Sequence, residues 1–253
     1  MYYYVIEPGK GAAFRSRIEK IKMILVDFGI SGEIVTASPA RTSRELVEIG
    51  LAKGYSTIVA VGDEVHANRV ATSLQGLDVA MGILPIVPDE NLLELIDCEF
   101  DLKKMCLALK QRRIKLIDLG RIEPNKYFMT KVEIHEMQPI EIIGQFDDFF
   151  IQTRITELII TNDLYCYLAN DKEGNGLIQK TWSYLLGKDE RRYDQSLFES
   201  RAITINTRRP YPIKISNQIV ARTPFTAVLK PKALQIIVSR ARINQEIDSR
   251  SSL

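Results

Sequence analysis

Ser56–Val70 reads STIVAVGDEVHANRV, and Met81–Asn91 reads MGILPIVPDEN. Each opens as a short, unbroken apolar run, the pattern of a strand covered on both faces. Each then passes abruptly into charged and turn-forming residues, Gly62-Asp63-Glu64-Val65-His66 in the first and Pro85-Ile86-Val87-Pro88-Asp89-Glu90-Asn91 in the second. A helix over Asn68–Leu74 separates the two strands. Buried strands alternating with helices imply a parallel sheet.

The surrounding first half keeps this rhythm. Tyr3–Ile6 is a short apolar run ending in the turn Glu7-Pro8-Gly9-Lys10-Gly11. Phe14, Ile18, Ile21, Leu25 and Phe28 recur at helical spacing, and Gly29 marks the stop. Ile34–Thr36 is a second strand. Thr42 and Glu45 have capping-box spacing ahead of a helix that stops near Gly54. Leu102–Lys110 reads as a last helix.

After Arg112 the pattern changes to short strand-like runs with turn residues between them. These are Lys115–Ile122, Tyr127–Ile134, Ile140–Ile143, Phe149–Ile155, Glu157–Thr161 and Leu164–Leu168, then Ala202–Ile205, Ile213–Ile215, Ala227–Leu229 and Leu234–Val238. One helix intervenes, with Ile178, Trp182 and Leu185 on its apolar face and Gly187 at its end. The expectation is an α/β protein of two domains. Residues 1–111 form a parallel α/β nucleotide-binding-like lobe, and residues 112–253 an antiparallel β-sandwich lobe.

Composition narrows the function classes. The 253 residues carry 34 Lys and Arg against 32 Asp and Glu, a net charge of +2 that excludes a nucleic-acid-sized basic field. Two histidines, His66 and His135, cannot build a histidine-rich metal site, and Cys98, Cys106 and Cys166 lack metal-ligand spacing. No apolar run reaches the ~20 residues of a membrane span. The start, MYYYVIEPGKG, lacks the pattern of a signal peptide. A cytoplasmic protein, soluble or peripheral to a membrane, is expected.

The order of pieces resembles the diacylglycerol kinase and sphingosine kinase family of lipid kinases. That family shares a GGDGT signature with the NAD kinases. Val5-Ile6-Glu7-Pro8-Gly9-Lys10-Gly11 resembles the family's first strand and phosphate loop, and Glu33-Ile34-Val35-Thr36 its second strand and threonine. Gly54–Gly62 resembles the run into GGDGT, and Gly82-Ile83-Leu84-Pro85 the run into PLGTGND. Pro210–Ile215, Thr223-Pro224-Phe225 and Pro231–Val238 resemble the closing hairpin of the lipid kinases. The resemblance implies ATP and Mg²⁺ as cofactors where activity is kept. Its nucleotide-binding positions fall on Gly9, Lys10, Gly11, Thr36, Gly62, Asp63, Glu64 and Asn68.

At those positions the chemistry departs from the family. Asp63 and Val65 stand on glycine positions of GGDGT, and a β-branched residue is strained where φ is positive. Two like charges ~4 Å apart cost roughly 4 kcal/mol at an effective dielectric of 20, so Asp63 opposes a phosphate. Glu7 replaces an asparagine. Val87–Asn91 lack both glycines of PLGTGND, and Asn175-Gly176-Leu177-Ile178-Gln179 carries amides where an acidic DGLLD-like segment belongs. Gln218 occupies the position of the family's general base, and an amide cannot take a proton at neutral pH.

Plainer readings apply to several residues. Asp63, Glu64 and His66 read as a solvated loop rather than a metal or acid/base cluster, and His135 as a partly exposed strand-end residue. The arginine pairs 112–113, 191–192 and 208–209 read as solvated faces, and Cys98 and Cys106 as buried helical thiols. Tyr2-Tyr3-Tyr4 is a strand start with an edge open to a partner.

The expectation is therefore a lipid-kinase-like protein with impaired phosphotransfer, acting as a binding or regulatory module. Its partners would be a lipid or anionic membrane surface, a second copy of itself, or an active homologue. Two alternatives remain. One is a divergent kinase with Mg²⁺ on Asp63 or Glu64 and phosphate on Lys10 with the Gly9–Gly11 amides. The other is a binder of another phosphate metabolite.

Overall fold

The computed structural model describes residues 1–171 and 193–239. The helix expected around Trp182, the Asn175–Gln179 segment and the pair Arg191–Arg192 lie outside the described residues. Two compact units are present. The first comprises Met1–Leu119, Tyr127–Thr130 and the chain from Lys230 onward; the second comprises Gly120–Lys126 and Lys131–Leu229.

In the first unit, β1 (Tyr2–Ile6), β2 (Gly32–Thr36), β3 (Thr57–Gly62) and β4 (Ala80–Pro85) are parallel neighbours in the order β4-β3-β1-β2. Register runs Tyr2↔Gly32 to Ile6↔Thr36, Tyr2↔Thr57 to Ile6↔Val61, and Thr57↔Ala80 to Gly62↔Pro85. Every residue of β3 and β4 is buried, which accounts for their unbroken apolar runs. β1 pairs on both sides within the chain. The open edge expected at Tyr2-Tyr3-Tyr4 is thus absent, because β2 and β3 flank it.

The helices follow their sequence signals. α1 (Ala12–Asp27) buries Ile18, Ile21, Ile24 and Leu25, and Gly29 beyond its end has φ of 65°. α2 (Ser43–Ala52) has the Thr42–Glu45 capping box in place. α3 spans Glu64–Leu74, beginning four residues before the expected Asn68. α4 (Glu90–Leu95) and α5 (Leu102–Gln111) are each started by an aspartate, Asp89 and Asp101, whose side chain accepts an amide hydrogen of the first turn.

The second unit is antiparallel throughout its ladders. β7 (Lys131–Phe146) and β8 (Phe149–Thr161) form a long hairpin, joined on one side by β9 (Tyr165–Asp171) and β10 (Tyr193–Glu199). On its other side β7 pairs with β11 (Ala202–Thr207), and Lys214 of β12 (Pro212–Ile215) pairs with Glu133. β13 (Gln218–Arg222) completes a hairpin with β12.

The separate runs Tyr127–Ile134 and Ile140–Ile143 differ from the structure. β6 covers Lys126–Phe128, and a register shift between His135 and Ile140 lets β7 continue through both remaining parts. Pro139 falls in that irregularity, where no ladder donor is needed. His135 therefore lies within a strand, opposite Glu157, with its ring nitrogens 3.3 Å from carboxylates of Glu133 and Glu157.

β5 (Arg113–Ile122) and β14 (Phe225–Val238) each contribute residues to both units. Phe225–Val228 pair antiparallel with β11, whereas Gln235 and Ile236 pair parallel with Ala80 and Met81 of β4. The first unit's sheet order is therefore β14-β4-β3-β1-β2. The chain moves from β1 outward to β2, then returns to the other side of β1 for β3. In open α/β sheets that reversal opens a ligand crevice at the carboxyl ends of the two strands. Here those ends are Glu7 and Gly62-Asp63.

Candidate functional site

β1 and β3 run parallel to their last residues, and Glu7 N–H donates to Val61 O at 2.9 Å. This extends the ladder and carries the Glu7 side chain over Gly62. Glu7 Oε2 accepts the Asp63 backbone N–H at 2.9 Å. A β-carbon on Gly62 would lie 2.7 Å from that oxygen and 2.9 Å from both Cβ and Cδ of Glu7. Gly62 is required by the close approach of Glu7, since its φ is not positive.

Asp63 is the N-cap of α3, with Oδ1 accepting from His66 N–H at 2.7 Å. The helix thus begins with two carboxylates upon it, and its positive end favours both. Burial nevertheless pushes the Glu7 carboxyl above the usual carboxylate range. The Asp63 amide offsets part of that effect, the neighbouring Asp63 charge adds to it, and Arg69 opposes it.

The solvated loop expected at Asp63–His66 is replaced by the first turn of a packed helix. Only Asp63 is exposed; Glu64 and His66 are each 1 % exposed. Val65 is helical and its φ is not positive, so the strain anticipated for a β-branched residue there does not arise. With Asp63 and Val65 at these positions, the segment after β3 winds directly into the first turn of α3.

Each side chain on the inner face of this turn has a local partner. His66 Nε2 lies 2.9 Å from Val5 O and Nδ1 3.2 Å from Ser43 Oγ. A carbonyl can only accept, so Nε2 carries the hydrogen and Nδ1 accepts from the Ser43 hydroxyl. Burial pushes the His66 pKa down, consistent with a neutral ring. Both ring nitrogens are therefore committed.

Glu64 accepts from the Thr130 hydroxyl through Oε1 and from Asn91 Nδ2 at 3.3 Å through Oε2. Asn68 donates to Glu64 O at 3.0 Å and accepts the Met129 N–H at 2.9 Å. These contacts fix α3 against Met129-Thr130 and α4.

The remaining candidates lie on the outer rim. Gly9, Lys10 and Gly11 are exposed, and Gly11, with φ of 94°, caps α1 without any side-chain hydrogen bond. The Phe14 ring rests on Gly9, where an added β-carbon would meet it at 2.2–2.4 Å. Thr36 is exposed at the end of β2, opposite Ile6. Gly9–Gly11, Thr36, Gly62 and Asp63 thus share the carboxyl edge of one sheet, while Glu64 and Asn68 point into the packed interior. Gln218 belongs to the second unit, exposed beside the Ser216-Asn217 turn that joins β12 to β13. Among the described residues, no group of three or more His, Cys, Asp or Glu side chains gathers to hold a metal.

Glu7, Ser43, Asn91 and Thr130 complete the site and were not among the sequence candidates. Glu7 was visible as a replaced asparagine, but nothing local announced that its carboxylate would cover Gly62. Ser43, Asn91 and Thr130 carry no motif and reach the site only through folding.

No family model and no curated protein matches this sequence. Solved structures do. A diacylglycerol kinase from Bacillus anthracis str. Sterne superposes with a TM-score of 0.73 at 12% identity, covering 96% of this chain and 98% of that one. The chain has the diacylglycerol-kinase fold. Two further structures from that organism reach TM-scores of 0.75 and 0.76 at 11% identity over the same coverage. Yeast NADH kinase in complex with NADH superposes with a TM-score of 0.52 at 8% identity, covering all of this chain and 88% of that one. The mixed α/β architecture, with parallel strands first and antiparallel strands after, is that of the lipid and NAD kinases. At these identities the likeness concerns the fold alone. No described helix is long and apolar enough to cross a membrane.

Proposed function

We propose that this kinase-fold protein has lost ATP-dependent phosphotransfer and acts as a binding or regulatory module, alone or beside an active homologue. The observation that carries the reading is the Glu7 carboxylate seated on the Asp63 N–H over Gly62. A helix N-terminus at a strand-order reversal suits an anion, and here the anion is one of the protein's own side chains. A triphosphate arriving there meets two carboxylates and an amide already engaged. These residues do not fit the phosphates of ATP.

The divergent-kinase alternative asks Asp63 or Glu64 to hold Mg²⁺. Asp63 caps α3, and Glu64 accepts from Thr130 and Asn91 in the interior. The phosphate-metabolite alternative keeps one supporting feature, the Gly11 start of α1 without a side-chain cap. Cys98, Cys106 and Cys166 are free thiols, which suits a reducing cytoplasm.

Titration calorimetry with Mg-ATP, joined to a radiolabel assay on diacylglycerol vesicles, tests the proposal. No binding heat and no labelled lipid are expected. Micromolar Mg-ATP affinity or ATP-dependent lipid phosphorylation overturns the reading. Thermal stabilisation by other phosphate compounds but not by ATP moves the assignment to the α1 loop.

A further inference from the structure

β7 changes character at His135. Up to that point its residues alternate, with Val132 and Ile134 buried and Lys131, Glu133 and His135 on the outer face. His135 is opposite Glu157 of β8, and pairing resumes only at Ile140 opposite Ile155. Residues 136–139 of β7 therefore stand against Thr156 alone, and Met137 among them is fully exposed. His135 is the last paired residue before this excursion.

Its ring is set between two carboxylates on different strands. Nε2 lies 3.3 Å from Glu133 Oε2, and Nδ1 lies 3.3 Å from Glu157 Oε1. Carboxylates only accept, and a neutral imidazole has one N–H and one lone pair. Only the imidazolium presents an N–H to both. The two carboxylates differ in their other neighbours. Glu133 Oε2 also has Lys131 Nζ at 3.9 Å, and Lys214 of β12 is opposite Glu133. Among the described residues Glu157 has no ion pair except with His135. Its neighbour on β9 is Ala169, with Gln195 of β10 beyond. Glu136 follows His135 in the chain, and the opposed residues Glu141 and Arg154 lie past the excursion.

We propose that His135 is a proton-dependent clasp on the β7 excursion. Charged, the ring ties Glu133 of β7 to Glu157 of β8 and seats residues 136–139. Neutral, it gives up one carboxylate and the cross-strand tie loosens. Histidine changes charge between about pH 5 and pH 8, so the clasp works in the range where cells work. The contact favours the charged ring in the folded chain; its stabilising effect is present at acid pH and lost as pH rises. That is opposite in sign to His66, whose burial disfavours the charged ring. The His135 side chain is 49 % exposed, and solvent screening limits the effect to a few-fold. The clasp lies within the second unit and does not depend on whether nucleotide binds.

Nuclear magnetic resonance of the full chain from pH 5 to pH 8 tests it, joined to a double-mutant cycle of His135→Gln and Glu157→Gln by urea unfolding. The backbone amides of residues 135–138, Thr156 and Glu157 should shift along one curve with the His135 ring protons. His135→Gln should abolish that response, Glu157→Gln should shrink it at least twofold, and Glu136→Gln should leave it in place. The cycle should give a coupling of about threefold in the unfolding equilibrium at pH 5.5, falling toward none at pH 8. The slope from His66 is common to all four proteins and cancels. Amides that ignore the ring titration, or a response reduced as much by Glu136→Gln as by Glu157→Gln, overturn the proposal. So does a coupling that is absent at pH 5.5 or undiminished at pH 8.

Discussion

Glu7→Gln isolates the charge at the strand-order reversal from the hydrogen bond that it makes. The glutamine carbonyl can still accept the Asp63 N–H, so a contact of about 1 kcal/mol is retained. The change removes a negative charge that is half-buried beside the Asp63 carboxylate. Two effects of the charge oppose each other. Its attraction to the start of α3 is worth about 0.3–1 kcal/mol and favours wild type. Desolvation and repulsion from Asp63 favour the variant, and the raised Glu7 pKa says that they win. The native chain then holds the Glu7 proton more tightly than the unfolded chain, whose value is near 4.5. Glu7 is most favourable to folding below that pH, and the benefit is lost as pH rises through the higher native pKa. Each tenfold difference in proton affinity between native and unfolded chains corresponds to about 1.4 kcal/mol. Urea unfolding of both proteins from about pH 4 to pH 8 should show the Gln variant gaining on wild type as pH rises. Glu7→Ala removes the acceptor altogether and should lose about 1–2 kcal/mol at neutral pH. A wild type that gains on Glu7→Gln with rising pH refutes the argument, since Glu7 would then be a stabilised anion.

Three other variants probe the same turn. Asn68→Ala leaves the buried Met129 N–H without its acceptor and should cost about 1–3 kcal/mol, measured by denaturant midpoint, with amide exchange at Met129 accelerated. His66, its pKa lowered by burial, contributes stability that is complete above about pH 6.5 and lost as pH falls through the native value; His66→Gln should flatten that acid slope in a pH–stability series. Gly62→Ala drives a methyl to within 2.7–2.9 Å of Glu7 and should cost about 1–3 kcal/mol. Part of that cost should vanish in a Glu7→Ala background, and strict additivity in the double-mutant cycle would sever the link between the two residues.

The parallel half of the fold was legible because its signals are local. Thr57–Gly62 and Ala80–Pro85 are wholly buried, so they appear as unbroken apolar runs, and the Thr42–Glu45 box fixes the start of α2 from four residues. The second unit was legible in kind but not in detail. Its longest strand continues through an irregularity at His135–Ile140 that interrupts the alternation of apolar and polar residues. The return of the chain to the first unit at Lys230 rests on the pairing of Gln235 and Ile236 with β4, a contact that no local pattern encodes. Glu64 and His66 were misplaced for a related reason. A charged pentapeptide after a strand looks solvated until its partners, Thr130, Asn91, Ser43 and Val5 O, are supplied by other segments.

Gly62 shows why the chemistry of such a loop cannot be transferred position by position. A glycine kept at a strand end suggests backbone freedom or the approach of a ligand. Here φ is ordinary, and the closest approach is made by Glu7, so the residue that explains the glycine is a side chain of the same protein. Val65 makes the complementary point. Its branched side chain is strained only in the glycine-loop conformation, and the chain carrying it adopts a helix, where the strain disappears. Asp63 then changes from an intruder among phosphates into the cap of that helix, and Glu7 supplies the anion that its N-terminus accepts. Glu7, Gly62 and Asp63 thus meet at the first turn of the helix that carries Val65. If the proposed reading holds, Val65→Gly alone should give no Mg-ATP binding heat, because the Asp63 cap and the Glu7 contact would still hold the first turn of α3.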